Sequence, residues 1–276
     1  MPRSSSYEIV LDASLFTPTQ LQTVAVGRLG FQAGTRWLRD HLCSHRTLVA
    51  QHRVGLVLWA WQLEFEQPLR FEDADEVVVD VNARVRGRRS SQLEVAMTIS
   101  GPAGVAVRST AASVPLRLSG DPALSGVSAR LPDVLVERFC DDERECSPFR
   151  SQVPALRAAL DRDCTRLASD STTFRVHRHH CEMADQWYWV ESLGFAAAAR
   201  EELILRHGQQ IPELRRAMVN GIHRVDAMWL RAGQLWDVLE VRTTSYRDGD
   251  EIAFVHELGL VEADGGAPFA IVVERT

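Results

Sequence analysis

The chain has 276 residues, 45% of them hydrophobic, which is enough to bury one large core or two smaller ones. A formal net charge of −6 and an isoelectric point near 5.9 exclude any general attraction to nucleic acid or to an anionic membrane surface. All 31 basic residues are arginine, a composition that reads as the codon bias of a GC-rich bacterial genome.

The N-terminal stretch MPRSSSYEIV lacks an apolar signal core, and the longest apolar run, 54–61, is far short of the roughly 20 residues that span a bilayer. A cytoplasmic location is expected. Five cysteines (Cys43, Cys140, Cys146, Cys164 and Cys181), odd in number and irregular in spacing, point to reduced thiols rather than a disulfide framework. No Walker loop, GxGxxG, GxSxG or Cys-x-x-Cys pair occurs, and no cofactor is expected.

In chain order, residues 7–12 (YEIVLD) predict a strand, and Thr17-Pro18-Thr19 predicts the start of a helix reaching about Leu42. Residues 54–66, 75–87 and 91–100 are strand-like, with Arg86-Gly87-Arg88-Arg89 as a turn. Gly101-Pro102-Ala103-Gly104 turns into a further strand, 105–117. From 118 to 172 the pattern breaks into a connector: a turn at Ser119-Gly120-Asp121-Pro122, a charged loop from Cys140 to Cys146, and a short amphipathic helix from Pro154 to Leu167.

Residues 173–182 then read as a polar strand bearing His177, His179 and His180. It feeds a helix from Asp185, a good N-cap residue, to His207, with Gly208 at the C-cap. At 100° per residue, Trp187, Val190, Leu193, Gly194, Ala197, Glu201, Ile204 and Leu205 share one face. Gly194 and the run Ala196–Ala199 keep the middle of the helix slim enough for a curved sheet to approach it.

The chain repeats itself. Leu29-Gly30-Phe31 with Ala33 and Arg36 recurs as Leu193-Gly194-Phe195 with Ala197 and Arg200, a shared LGFxAxxR at an offset of 164 residues. Asp75–Val81 parallels Asp237–Arg242, and Leu93–Ile99 parallels Ile252–Leu258, with the offset drifting to 162 and then 159. A period this long is a duplicated domain, since solenoid repeats run about 20–50 residues. The predicted organisation is an N-terminal repeat at 1–117, a connector at 118–172 and a C-terminal repeat at 173–276, ending in a strand at 268–275.

One helix lying against an antiparallel sheet long enough to curl around it is the hotdog arrangement. On these repeated phrases the chain resembles a double-hotdog protein of the thioesterase superfamily, an α+β fold. Residues 63–79 (LEFEQPLRFEDADEVVV) are similar to the strand pair and acidic turn of acyl-CoA and acyl-carrier-protein thioesterases. The resemblance implies hydrolysis of an acyl thioester carried on acyl carrier protein or coenzyme A.

In that family an acidic residue about 18 positions before the helix arginine activates water, while amides at the helix N-terminus hold the developing oxyanion. That position here is Glu182. The Gly, His and Asn that usually follow are absent from Met183 to Tyr188. A second similarity, to enediyne polyketide thioesterases, lies in a Tyr 12 residues before an Arg-Glu pair: Tyr188 before Arg200 and Glu201. It assigns Arg200 to holding the acyl group and points to bacterial polyketide or secondary metabolism. The HxxxGxxxxP motif of double-hotdog dehydratases is missing, because His207-Gly208 and Pro212 have the wrong spacing.

Catalysis is therefore expected from Glu182, His180 and Arg200, with Tyr188, Trp187, Glu201 and Asp185 contacting substrate. Strand alternation would put His180 beside Glu182 as an acid and base pair. It would put His177, His179 and Cys181 on the opposite face, where three ligands two apart rarely converge on a tetrahedral metal. No metal is expected. The alternatives are another reaction on a carrier-bound polyketide thioester (acyl transfer, decarboxylation, dehydration or cyclisation) or acyl binding without catalysis. A homodimer of the double-hotdog chain is compatible with the sequence.

Overall fold

In a computed structural model, which describes residues 3–86, 91–118, 126–137, 149–182, 185–261 and 268–276, the chain divides into two units, Met1–Phe149 and Arg150–Thr276. The expected turn at 87–89, the turn at 119–122 and the loop at 140–146 lie outside the described residues, as do Met183 and Ala184.

The first unit opens with β1 (Arg3–Val10), followed by α1 (Thr23–His41), α2 (His45–His52), β2 (Val54–Phe65), β3 (Glu76–Arg86), β4 (Gln92–Gly101), β5 (Gly104–Leu118), the short β6 (Gly126–Ser128) and α3 (Asp133–Val136). The strands form an antiparallel sheet in the order β1-β3-β4-β5-β2, with β6 on β5. Alternation builds it: Val77, Val79, Val81, Ala83 and Val85 are buried while their neighbours in β3 are not. On α1, Val26, Leu29, Ala33 and Trp37 fall on one buried stripe. Gly30 admits Met97, since a Cβ there would lie 3.0 Å from the Met97 methyl.

Three helices differ from the expectation: the connector helix, expected over 154–167, spans Phe149–Asp163 because Thr165 onward pairs in a strand, and two differ in the first unit. Thr17 does not begin a helix; its Oγ1 accepts from the amides of Thr19 (3.3 Å) and Gln20 (3.1 Å), closing a local turn that competes with helix. The helix starts at Thr23 instead. A second helix, α2, was not anticipated; Ser44 caps it by accepting from the Thr47 amide at 3.1 Å. Its Leu48 packs with Leu42, Val54 and Leu135.

The second unit contains α4 (Phe149–Asp163), β7 (Thr165–Arg175), α5 (Glu191–His207), α6 (Pro212–Asn220), β8 (Arg224–Trp229), β9 (Val238–Asp248), β10 (Glu251–Leu260) and β11 (Ala270–Arg275). Its antiparallel sheet runs β7-β9-β10-β11-β8. That is the strand order of the first unit, element for element. β3 and β9 have equal length at an offset of 162, and β4 and β10 at 159, as the repeated phrases predict. β7 begins eight residues before the expected 173, because its Thr, Ser and Asp side chains conceal a strand pairing along β9.

Both faces of this second sheet are covered. Ile252 and Phe254 pack with Leu203 and Ile204 of α5 and with Leu214 and Ala217 of α6. Their neighbours Ala253 and Val255, with Met228, Tyr246, Ile271 and Val273, pack the other way, against Val153 and Leu160 of α4. The connector helix is thus a working layer of the second unit, fastened by Arg157 to Glu257 at 2.7 Å and by the Tyr246 hydroxyl to Asp161.

Candidate active site

Between β7 and α5 the backbone leaves the sheet and is held by the segment before β9. The Val176 amide donates to the Asp237 carbonyl, the Trp236 amide to Val176, the Trp187 amide to Gly233 and the Leu235 amide to Asp185, each at 2.9 Å. These bonds overturn the expected strand-into-helix reading. Residues Arg178–His180 form a single 3-10 turn, and α5 starts at Glu191, six residues after Asp185. Pairing with residues 233–237 outweighs helix propensity across the Trp-rich stretch.

Asp185 is accordingly not an N-cap. It is exposed, sits in the left-handed region at φ 53° and pairs with Arg178 at 2.8 Å. The helix N-cap is Val190, with no capping side chain. The amides of Glu191, Ser192 and Leu193 donate to the carbonyls of Tyr188, Trp189 and Val190 at 2.9, 3.1 and 3.1 Å. The expected oxyanion donors are therefore already engaged, and the helix start offers its dipole rather than open N–H groups.

Glu182 lies in the turn preceding the helix; its amide donates to Gln186 O at 2.8 Å. The side chain is half-buried, and among the described residues it makes no hydrogen bond or ion pair. Burial pushes its carboxyl above the usual range for glutamate. His180 is half-buried nearby in sequence. Its Nδ1 accepts from the His177 amide at 3.1 Å, so Nε2 carries the hydrogen in the neutral ring. Burial, then the neighbouring His179 and His177, push its pKa down. The 3-10 turn breaks the expected alternation, and no hydrogen bond joins His180 to Glu182. His179 stacks against His177 with centroids 5.9 Å apart, and His180 tilts against His179 at 4.0 Å.

Trp187 is buried and packs with Phe195 and Phe269 at centroid distances of 6.2 and 6.4 Å. Phe174 and the His180 ring each lie 5.1 Å from Phe195. The result is an apolar cluster with the His180 imidazole on its edge. Tyr188 is half-buried and meets Trp189 at 5.7 Å, which meets Trp229 at 5.4 Å. Sequence reading missed the residue that ties this cluster down: Ser192, wholly buried, donates to the Trp189 carbonyl at 2.6 Å and accepts from Trp229 Nε1 at 2.9 Å. Ser192→Ala strands a buried indole N–H and is expected to cost about 1–3 kcal/mol, checked by urea denaturation.

The buried face of α5 is Ser192, Leu193, Phe195, Ala196, Ala199, Leu203 and Ile204. It is rotated from the expected one: Glu201 and Leu205 are exposed. Apolar residues on nearly every side of this helix make its face ambiguous from sequence. Arg200 lies nine residues into the helix, about 13 Å along its axis from Glu191. It pairs with Glu274 on β11, whose partner in turn is His256 on β10. Period-2 reading would have found both, because each alternates with apolar residues: Phe254, His256, Leu258 and Ala270, Val272, Glu274.

Among the described residues, no group of three or more His, Cys, Asp or Glu is placed to hold a metal ion. None of their helices is long and apolar enough to cross a membrane. The chain matches no protein-family model, and no curated protein matches it in sequence. Solved structures do match. A Lactobacillus plantarum protein assigned provisionally as an oleoyl thioesterase superposes with a TM-score of 0.71 at 10% identity, over 99% of this chain and 95% of its own. The 12:0-ACP thioesterase of Umbellularia californica gives 0.69 at 10% identity, over 99% and 93%. An acyl-ACP thioesterase from Bacteroides thetaiotaomicron gives 0.63 at 11% identity, over 98% and 96%. At these identities the likeness shows the fold alone, a hotdog-type fold along nearly the whole chain.

Proposed function

We propose that the chain is a thioester hydrolase built of two hotdog repeats, each with a long helix held against its sheet, acting on an acyl group carried by acyl carrier protein or coenzyme A. The observation that carries this reading is Glu182, a half-buried carboxylate bonded to none of the described residues, next in the chain to Cys181, whose backbone bridges to Trp187 of the aromatic cluster. Fold likeness to acyl-ACP thioesterases supports the substrate class, and the spacing of Tyr188 to Arg200 and Glu201 supports a polyketide or secondary-metabolic acyl group.

In this mechanism Glu182 takes a proton from water as the water oxygen attacks the thioester carbon. The His180 Nε2–H donates to the oxyanion that forms, and the α5 dipole favours the same charge. The C–S bond then breaks and the sulfur leaves with the proton held by Glu182. Trp187 and Tyr188 line the approach. Arg200 and Glu201 lie too far along α5 to serve the carbonyl, so any role for Arg200 is with the distal acyl chain.

A base must be ionised to work, so kcat/KM should fall as pH drops through the raised Glu182 pKa, giving an acid limb centred above the ordinary 4.5. A limb at or below that value counts against the assignment. The decisive test is intact-mass analysis of acyl-coenzyme A and acyl-carrier-protein thioesters incubated with the protein. Loss of the whole acyl group is expected. Loss of water or carbon dioxide with the thioester intact, or no change in mass, overturns hydrolysis.

A further inference from the structure

Three polar side chains of the second sheet, Thr243, His256 and Glu274, form a chain with Arg200 of α5. Arg200 Nη1 donates to Glu274 Oε2, the His256 Nε2–H donates to the same oxygen at 3.3 Å, and the Thr243 hydroxyl donates to His256 Nδ1 at 2.9 Å. Glu274 and His256 are 1% and 0% exposed at their side chains. Burying such groups costs several kcal/mol per ion before any pairing is counted. The other carboxylate oxygen, Glu274 Oε1, is buried and accepts no hydrogen bond from any of the described residues. Arg200 uses one nitrogen on Glu274, and its remaining N–H groups bond to none of the described residues.

The first unit supplies an internal control. Strand register puts Val81 opposite Met97 where the second unit has Thr243 opposite His256, and Val95 opposite Ala111 where it has Phe254 opposite Glu274. Arg36, the counterpart of Arg200, lies over the Tyr7 ring at 4.2 Å instead. The same strands and the same helix motif are thus built once without any buried acid or imidazole at these positions. The fold does not need the polar chain, and the polar chain occurs in the half that carries Glu182.

An acceptor without a donor, beside a guanidinium with donors to spare, complements a group that both gives and takes a hydrogen bond. A hydroxyl does this. An ammonium would be repelled by Arg200 and a carboxylate by Glu274.

We propose that Glu274 and Arg200, oriented by His256 and Thr243, recognise a hydroxyl group on the acyl chain, about 13 Å along α5 from the thioester end. Glu274 Oε1 accepts the hydroxyl hydrogen and Arg200 donates to its oxygen. This rests on the thioesterase reading for the reaction, though not for the binding.

The test uses pairs of acyl thioesters of equal length, with and without a hydroxyl at successive positions, together with the corresponding free acids for calorimetric binding. Two variants are compared with wild type: Glu274→Gln, and the triple Thr243→Val/His256→Met/Glu274→Ala, which installs the first unit's residues. Wild type is expected to favour one hydroxylated position by about 10²-fold in kcat/KM and in Kd, and both variants to lose that preference. Equal preference in wild type and folded variants, or none in wild type, overturns the proposal. Selective binding of the hydroxylated acid without turnover sustains it while removing the hydrolase reading.

Discussion

Glu182→Gln is expected to lower kcat by about 10²–10⁴-fold, the usual contribution of a positioned general base, while leaving KM within a few-fold. The amide keeps the shape of the side chain and its turn, whose bonds run through the backbone amides of Glu182 and Asp185 rather than the carboxylate. It cannot take a proton. Stability separates this from a folding defect. Burial raises the Glu182 pKa in the folded state, so the folded protein binds that proton more tightly than the unfolded chain does. Folding is therefore penalised as pH rises through the raised value, and at neutral pH the ionised side chain is a cost. Glu182→Gln removes that cost and should melt at the same temperature as wild type or slightly higher. A variant with lost activity and a lowered Tm would point to structural damage, and one with kcat within threefold of wild type would remove Glu182 from the mechanism.

The parts of this molecule that repeat were legible in its sequence, and the parts that depend on contact between distant segments were not. β3 declares itself through alternating valines, β9 through its parallel with β3 at the same length, and β4 and β10 through the same parallel one hairpin later. The start of α5 is not legible, because Asp185 to Trp189 has the residues of a helix N-terminus. Its backbone is instead claimed by Gly233 and Leu235, segments some 50 positions away in the chain. The first eight residues of β7 are not legible either, because an edge strand of Thr and Ser carries little hydrophobic signal. The assignment of Arg200 to the acyl group rests on a family resemblance in its spacing from Tyr188, which carries no information about what the guanidinium pairs with. Its partner Glu274 lies two residues from the end of the chain and is visible only as one acid on an otherwise apolar strand face.

The largest stability effect is expected from that pair. Glu274→Leu fills the site but leaves Arg200, only 15% exposed, without its counter-charge and the His256 Nε2–H without an acceptor. Removing one partner of a fully buried pair costs about 3–5 kcal/mol; partial access of Arg200 to water lowers this to about 2–4 kcal/mol. The effect carries a pH signature. Burial alone would raise the Glu274 carboxyl, but the charge of Arg200 and the bond from His256 outweigh it and hold the pKa at about 2, against an ordinary 4.5. A depressed carboxyl stabilises the fold above its unfolded pKa and loses that contribution as pH falls through the folded one. Each pH unit between the two is worth about 1.4 kcal/mol, which gives about 3 kcal/mol in all, in line with the truncation figure. Wild type should therefore exceed Glu274→Leu in unfolding free energy at pH 6 and converge with it between pH 4.5 and pH 2. The triple variant with the first unit's residues should lose less than Glu274→Leu does, because the imidazole goes with the acid and no buried N–H is left without its acceptor. A gap between wild type and Glu274→Leu that stays constant from pH 6 to pH 2 would show that the carboxylate contributes by packing and not by charge.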